Sequence, residues 1–375
     1  MKKESVSLLA ITNLFPVPWA PHRASFNQQQ FALLAEQFPF RIMILVPWLE
    51  WLKHRKECSN NTERCYVPYF YLPRLGRRLT PYFQAISLWL KRKWIKQSNP
   101  SHIIASWAYP DAIACLMLAD KFNAKVLVKA HGTDVNENTE FPARRKQMAH
   151  WLNRSQTVFC ASKALADKLI ATGIDPAKIC VNYNGVNPNI FFPATTEQQT
   201  ADIIFIGNLL TTKGVYELLD AYKQSQANSL NEHFPALHYI GQGPEKQKIA
   251  ERIQALGLEK QVFLHGVLPL KEVAERLRTA KLLILPSYRE GVPNVVLEAL
   301  ASGVPAIATN VGGIPEVVSE ETGILVPVKD STALSAAIDK ALQHPWSKTA
   351  LLEHAKQFSW PKNIGTFISR MNLDA

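Results

Sequence analysis

No stretch of this 375-residue chain approaches the roughly 20 consecutive apolar residues that a bilayer-crossing helix needs, so no membrane span is expected. The opening Met1-Lys2-Lys3-Glu4 leads into an apolar run of only Val6 to Ile11, too short and wrongly flanked for a secretory signal. Cysteine is scarce: Cys58, Cys65, Cys115, Cys160 and Cys180 are odd in number and form no C-x-x-C pair. That excludes a disulfide framework and a zinc pattern, and reads as reduced, buried thiols of a cytoplasmic protein. The 16 glycines and 24 prolines follow no repeating period, which removes collagen-like, solenoid and low-complexity architectures.

Acidic residues are thin in one region. Residues 1–190 carry 25 Lys+Arg against 12 Asp+Glu and the remainder 17 against 19, so the whole excess behind the net charge of +11 lies in the first half. Between Lys53 and Lys96 stand eleven basic residues and two acidic ones, interleaved with Trp51, Tyr66, Tyr69, Phe70, Tyr71, Tyr82, Phe83, Trp89 and Trp94. Cations among aromatics suit an anionic membrane surface, at about 1 kcal/mol per well-placed cation. A solvated basic face is the plainer alternative. No RNP, zinc-finger or helix-turn-helix pattern accompanies the patch, so nucleic acid is not expected as a partner.

What is present is enough apolar sequence, 47% of the chain, for two cores rather than one. Short apolar runs alternate with helix-length segments: Val6–Ile11, Phe26–Phe38, Arg41–Val46, then His102–Ala105, Tyr109–Phe122, Lys125–Lys129, Arg144–Asn153, Thr157–Cys160 and Lys163–Thr172. This is the rhythm of a parallel sheet with crossover helices, an α/β class. It breaks at Asn184-Gly185-Val186-Asn187-Pro188, stays irregular to about residue 200, and restarts with a strand at Asp202–Ile206. Further strands are expected at Leu237–Ile240, Val262–His265 and Leu282–Leu285, with helices at Val215–Ser225 and Glu245–Leu256. Two doubly wound domains follow, 1–190 and 191–355, with 356–375 as a terminal helix packing back on the first. Loops at the carboxyl ends of both sheets are expected to face a shared cleft.

The segment Pro286 to Ala301 reads as strand end, tight loop and helix, with Glu290-Gly291-Val292-Pro293-Asn294 at the turn and Val295-Val296-Leu297-Glu298 beyond it. Pro293 suits the first helical turn, and open N–H groups near residues 294–296 would attract an anion such as a diphosphate. Glu298, one turn in, can accept hydrogen bonds from a ribose diol. Glu290, on the loop, is placed to touch whatever the diphosphate carries. Downstream come Gly303-Val304-Pro305, Gly312-Gly313, and Gly323-Ile324-Leu325-Val326-Pro327.

Glu290-x7-Glu298 with those elements resembles the donor half of the family 4 retaining glycosyltransferases, which have the GT-B fold. The resemblance implies that Gly207, Asn208 and Lys213 belong with Gly291, Asn294, Val295, Val296 and Glu298 in binding the donor nucleotide and diphosphate. Lys213 matches the family lysine on the diphosphate, whereas Asn208 stands where arginine is usual. Gly241-Gln242-Gly243-Pro244-Glu245 also agrees. In the first half His131-Gly132-Thr133-Asp134 is similar to the family His-Gly-x-Asp element, implying that His131 contacts the transferred sugar and that Asp134 orients its loop. Asn13 to Gln30, with Tyr109-Pro110-Asp111, resembles the subset building exopolysaccharides and teichuronic acids. There Arg23-Ala24-Ser25 lacks the usual glycine before Phe26, and Arg23, Ser25 and Asp134 form the acceptor side. Ser162 and Asn184 read as structural.

The expectation is therefore a retaining hexosyltransferase using a nucleotide-sugar donor. Its acceptor is a glycan or lipid-linked, it serves bacterial surface polysaccharide synthesis, and it needs no metal and no cofactor. Catalysis falls to His131, Lys213 and Glu290. The protein is cytoplasmic, meeting the inner face of the plasma membrane through residues 53–96. A nucleotide-sugar epimerase and a non-catalytic binding or assembly subunit stand as alternatives, with a dehydrogenase behind them because Gly241-Gln242-Gly243 lacks the rest of a dinucleotide fingerprint.

Overall fold

A computed structural model describes residues 6–195, 202–229 and 233–371. Expectations for Met1 to Glu4, for the linker from 196 to about 200, and for the last four residues lie outside that range. The chain divides into two compact units, residues 1–183 with 361–375, and residues 184–360.

The first unit is built on seven parallel strands: β1 (Leu8–Thr12), β2 (Phe40–Pro47), β3 (Arg64–Tyr69), β4 (His102–Ala105), β5 (Lys125–Ala130), β6 (Thr157–Cys160) and β7 (Ile179–Val181), in the order β3-β2-β1-β4-β5-β6-β7. In β1 every residue is buried, because helices cover both faces and leave no side for a polar residue. One face packs Leu9, Ile11, Met43 and Ile103 with Ala112 and Leu165. The opposite face packs Leu8, Ile44 and Phe159 with Phe31.

Six parallel strands make the second unit: β8 (Ile203–Ile206), β9 (Leu237–Ile240), β10 (Val262–Gly266), β11 (Leu282–Leu285), β12 (Ala306–Thr309) and β13 (Gly323–Val326), in the order β10-β9-β8-β11-β12-β13. Both sheets reverse their winding once, between β1 and β4 and between β8 and β11. At such a reversal the two outgoing loops part in opposite directions and open a crevice at the strand carboxyl ends. The loops that carry the chemistry-bearing motifs leave from these four strands and from β5 beside them. Both units are thus parallel-sheet, Rossmann-like α/β domains.

The boundary differs from the expected residue 190. Val186 bridges Ser359 in parallel and donates its N–H to the Phe358 carbonyl at 3.0 Å, which binds residues after 183 into the second unit. Residues 361–375 cluster with the first unit instead of starting at 356. Ile364, Phe367 and Met371 enter its core beside Leu8 and Phe159, and the rings of Phe367 and Phe159 stack at 4.5 Å. Inside the unit Asn363 accepts from Gln30 at 2.6 Å and donates to the Tyr183 carbonyl at 2.7 Å.

Phe367→Ala should therefore destabilise the first unit by about 3–5 kcal/mol through the lost burial and the cavity left behind. Urea unfolding followed by tryptophan fluorescence checks this. An unchanged midpoint would mean that the terminal helix lies outside that core.

Candidate functional site

In the second unit the loop after β8 runs over the loop after β11. Gly207 N–H donates to the Ile240 carbonyl at 2.9 Å, Leu209 to Gln242 at 2.9 Å, and Tyr288 to Thr212 at 2.9 Å. Gly214 ends the turn Thr211–Lys213 at φ +68°, and a Cβ there would collide with the Pro286 carbonyl. Gly312, at φ +55°, lies against the Glu290 carbonyl in the same way. Only glycine allows both the left-handed backbone and the approach. Gly313 N–H adds a bond to the Gly291 carbonyl at 2.8 Å, and Thr309 Oγ1 donates to the Ser287 carbonyl.

This knitting brings Lys213 and Glu290 together. Lys213 Nζ lies 2.5 Å from Glu290 Oε1, with side-chain exposures of 25% and 12%. The sequence reading gave the two side chains separate partners, diphosphate and sugar; here they are each other's partner. Partial burial strengthens the attraction, and the pair fixes two long side chains that would otherwise wander.

The helix Asn294–Ala301 follows with Pro293 as its N-cap rather than its first helical residue (φ −73°, ψ 120°). Of the amides expected to be open, that of Val296 donates to the Pro293 carbonyl at 3.1 Å, leaving Asn294 and Val295 without a backbone acceptor among the described residues. Val296 is buried and Val295 half-buried. Asn294 Oδ1 accepts from Asn184 Nδ2 at 3.0 Å, which gives Asn184 the structural part it was expected to have.

Glu298 is half-buried, and its carboxyl has no hydrogen-bond donor among the described residues. Burial pushes its pKa up to about 7. A carboxyl held away from water with no partner is a group awaiting one. Asn208 is exposed, and Arg289, also exposed, forms no ion pair among the described residues. Lys329, just beyond β13, holds its Nζ 4.9 Å above the ring of Tyr288. Neither cation was singled out from sequence. Arg289 could have been, since it lies inside the loop already marked, whereas Lys329 carries no local signal.

In the first unit His131 follows β5. Asp134 is fully buried, and its carboxylate accepts from the backbone N–H groups of Ala108 at 2.8 Å, Gly132 at 2.8 Å and His131 at 3.0 Å. Its expected acceptor-side role is corrected on that ground, because its oxygens are committed to tying the β5 loop to the β4 loop. Arg23 pairs with Glu50 at 3.3 Å, and Glu50 also accepts from Trp19 Nε1 at 2.7 Å. Ser25 is half-buried as the first residue of the helix Ser25–Ala35. Before it Ala24 takes φ +49°, ψ +48°, the left-handed conformation a glycine adopts freely.

His131 is half-buried, 4.8 Å from the ring of Phe26 and 6.1 Å from that of Trp107, with Nε2 2.9 Å from Ser106 Oγ. Burial, then the charge of Lys129, holds its pKa well below the ordinary histidine value, so the ring is neutral. Asp111, fully buried, accepts from Asn13 N–H at 2.6 Å and from Gln84 Nε2 at 2.8 Å, anchoring the loop after β1. Ser162 caps the helix Lys163–Ala171 by accepting from Leu165 N–H. Among the described residues no three His, Cys, Asp or Glu side chains converge as metal ligands.

Comparison with known proteins agrees with this layout. The family described as Glycosyltransferase Family 4 matches residues 36–190, and Glycosyl transferases group 1 matches residues 186–358. The putative teichuronic acid biosynthesis glycosyltransferase TuaC of Bacillus subtilis is 24% identical over 89% of this chain and 89% of its own. The N-acetyl-alpha-D-glucosaminyl L-malate synthase of Bacillus anthracis is 30% identical over 66% of each chain. Among solved structures, Anabaena HepE in complex with UDP superposes with a TM-score of 0.74 at 17% identity, covering 97% of this chain and 99% of that one. With one family match on each unit, and the glycine-knit loops of the second unit carrying the motif residues, the chain belongs to the family 4 glycosyltransferases of the GT-B class.

Proposed function

We propose that the chain is a retaining, nucleotide-sugar-dependent hexosyltransferase. It moves a hexose-type sugar from a nucleoside diphosphate to a glycan or lipid-linked acceptor in bacterial surface polysaccharide synthesis. The observation that carries this reading is the Lys213–Glu290 pair, set beside a helix start with two open amides and an unpartnered Glu298 one turn further on. Lys213 and the amides of Asn294 and Val295 meet the departing diphosphate, Glu298 takes the ribose diol, and Glu290 orients the sugar. HepE is seen with UDP and TuaC bears a teichuronic acid name, which supports UDP as the nucleotide and a cell-surface polymer as the product.

Glu290 is already engaged by Lys213, which suits a positioning role better than nucleophilic attack. Transfer with retention then proceeds by entry of the acceptor hydroxyl on the face the diphosphate leaves, with the protein supplying orientation and charge. The exposed Arg289 stands in for the arginine missing at Asn208. No metal is needed in this scheme, because Lys213 supplies the cation.

The basic stretch fits an anionic inner membrane leaflet. The helix Thr80–Leu90 turns Tyr82, Ile86, Trp89 and Leu90 to solvent, with Leu79 before it, and Ile86 and Leu90 are 57% and 70% exposed. Those positions recur at helical spacing, so they form one outward apolar face. Arg77, Arg78, Lys91, Arg92 and Lys93 flank it, and the Arg92 guanidinium lies 5.0 Å over Trp89. Cations around an apolar face are what an interfacial helix presents to acidic lipid.

Lys213→Ala should lower kcat/KM for transfer by about 10²–10³ with the fold intact, the usual cost of removing one stabiliser of a developing anion. Activity assays in chelator with labelled UDP-sugars test it. Wild-type rates in a folded variant would sink the assignment, and UDP binding without sugar transfer by the wild type would favour a non-catalytic subunit.

Glu298 adds a pH dependence. Its ionised form is the diol acceptor, so UDP affinity should rise as pH climbs through about 7 and then level off. Glu298→Gln should abolish that slope in calorimetric titrations. A variant keeping it would exclude Glu298.

Co-sedimentation should show salt-sensitive binding to phosphatidylglycerol vesicles, lost in the Ile86→Ser, Leu90→Ser double variant. Equal binding to phosphatidylcholine would remove the membrane reading, since attraction between exposed charges is screened beyond about 10 Å at 0.1 M salt.

A further inference from the structure

Lys129, near the end of β5, is only 5% exposed and has no carboxylate within ion-pair reach among the described residues. Its Nζ donates to Asn27 Oδ1 at 2.7 Å and otherwise faces the rings of Phe31 at 5.5 Å and Phe26 at 5.9 Å. Burying a cation without a counter-ion is costly, and here desolvation brings the amine's pKa down to about 7. A lysine that only filled space would be better replaced by an apolar side chain. Its single polar contact leads directly to His131.

The direction of each hydrogen bond along that route is forced. Asn27 Nδ2 donates to the Leu14 carbonyl at 2.8 Å, and a carbonyl can be met only by a donor, so the amide is fixed with its oxygen toward Lys129 and Ser106. Ser106 Oγ gives its one proton to Asn27 Oδ1 at 2.8 Å and therefore offers a lone pair to His131 Nε2. Nε2 must carry the hydrogen. His131 Nδ1 is left with a lone pair and no protein partner among the described residues.

The charged groups facing the ring are Lys129 from β5 and Asp134 from the short helix Thr133–Asn136, whose carboxylate is occupied by three backbone amides. The helix Ser25–Ala35 contributes Phe26 and Asn27, and the loop after β4 contributes Ser106 and Trp107, none of them charged. Lys129 is then the one positive charge on the ring's hydrogen-bond path, and it opposes an imidazolium even next to an anionic donor.

We infer that Lys129 is a positioning residue for His131. Through Asn27 and Ser106 it holds the ring in its neutral Nε2–H form, leaving Nδ1 as an open acceptor for a sugar hydroxyl. The inference rests on the sugar contact that the family resemblance implies for His131, so its test separates the two.

With 15N-histidine-labelled full-length protein and no substrate, long-range 1H–15N correlation from pH 5 to 8 should show His131 with Nε2 protonated, Nδ1 bare and no titration. In Lys129→Met the ring should take up a proton at higher pH than in wild type. The pH profile of kcat/KM should then gain an acid limb at the same midpoint. Ser106→Ala, which leaves Lys129 in place, should instead give mixed tautomers, and it serves if the first variant fails to fold. Unchanged ring signals in Lys129→Met, or a single Nε2–H tautomer in Ser106→Ala, would overturn the relay. Altered signals with unaltered kcat/KM would uphold the relay and remove His131 from the sugar contact.

Discussion

The second unit of this protein depends on backbone meeting backbone. Gly214 against the Pro286 carbonyl and Gly312 against the Glu290 carbonyl leave no room for a Cβ, and the two contacts set the separation of the loops after β8, β11 and β12. A side chain at either position would force the loops apart and Lys213 away from Glu290. The 2.5 Å pair is thus a consequence of glycine placement as well as of the charges. The same sheet geometry that brings these loops to one edge points the Asn294–Ala301 helix start toward them.

Five buried or half-buried charged groups are handled in four ways, and the differences follow from their neighbours. Lys213 and Glu290 neutralise one another. Glu298 has no donor among the described residues, and burial alone raises its pKa to about 7. Lys129 is met by an amide oxygen and aromatic faces, which satisfy its hydrogen bonding without cancelling its charge. Asp134 belongs to a fourth kind. It is spent entirely on backbone amides, and its burial marks structure rather than reactivity.

That distinction explains what could and could not be read from the sequence. Glu290 and Glu298 were singled out because they lie on a loop and helix start that the local sequence marks, whereas Lys213 and His131 were marked by the family resemblance. Most strands were legible from their apolar runs, His102–Ala105 and Leu282–Leu285 to the residue. β3 escaped because Arg64, Pro68 and the tyrosines break its apolar pattern, β7 because it has only three residues, and β12 and β13 because their short runs were read as parts of glycine- and proline-marked motifs. Helices between residues 48 and 98 escaped because their outward faces are apolar or basic rather than cleanly amphipathic. The Asn27–Ser106–His131 route joins residues 25 and 79 positions apart, and nothing local in the chain announces it. The domain boundary was misplaced for a related reason. The strand-like break at Asn184 is visible, but the return of Phe358 and Ser359 to Val186 is not.

Ala24 shows the limit of reading a substitution as a loss. Without the glycine usual before Phe26, the sequence suggests a changed loop, yet the backbone at Ala24 keeps the left-handed conformation a glycine would take. An alanine held there costs about 1–2 kcal/mol relative to right-handed backbone. The conformation persists because its surroundings over-determine it: Asn27 N–H donates to the Ala24 carbonyl at 3.0 Å, Arg23 N–H to that of Ala20 at 3.2 Å, and the Asn27 side chain locks the next turn to Leu14. Strain held in place by so many bonds indicates that the loop's shape is set by these contacts rather than by a glycine at this position.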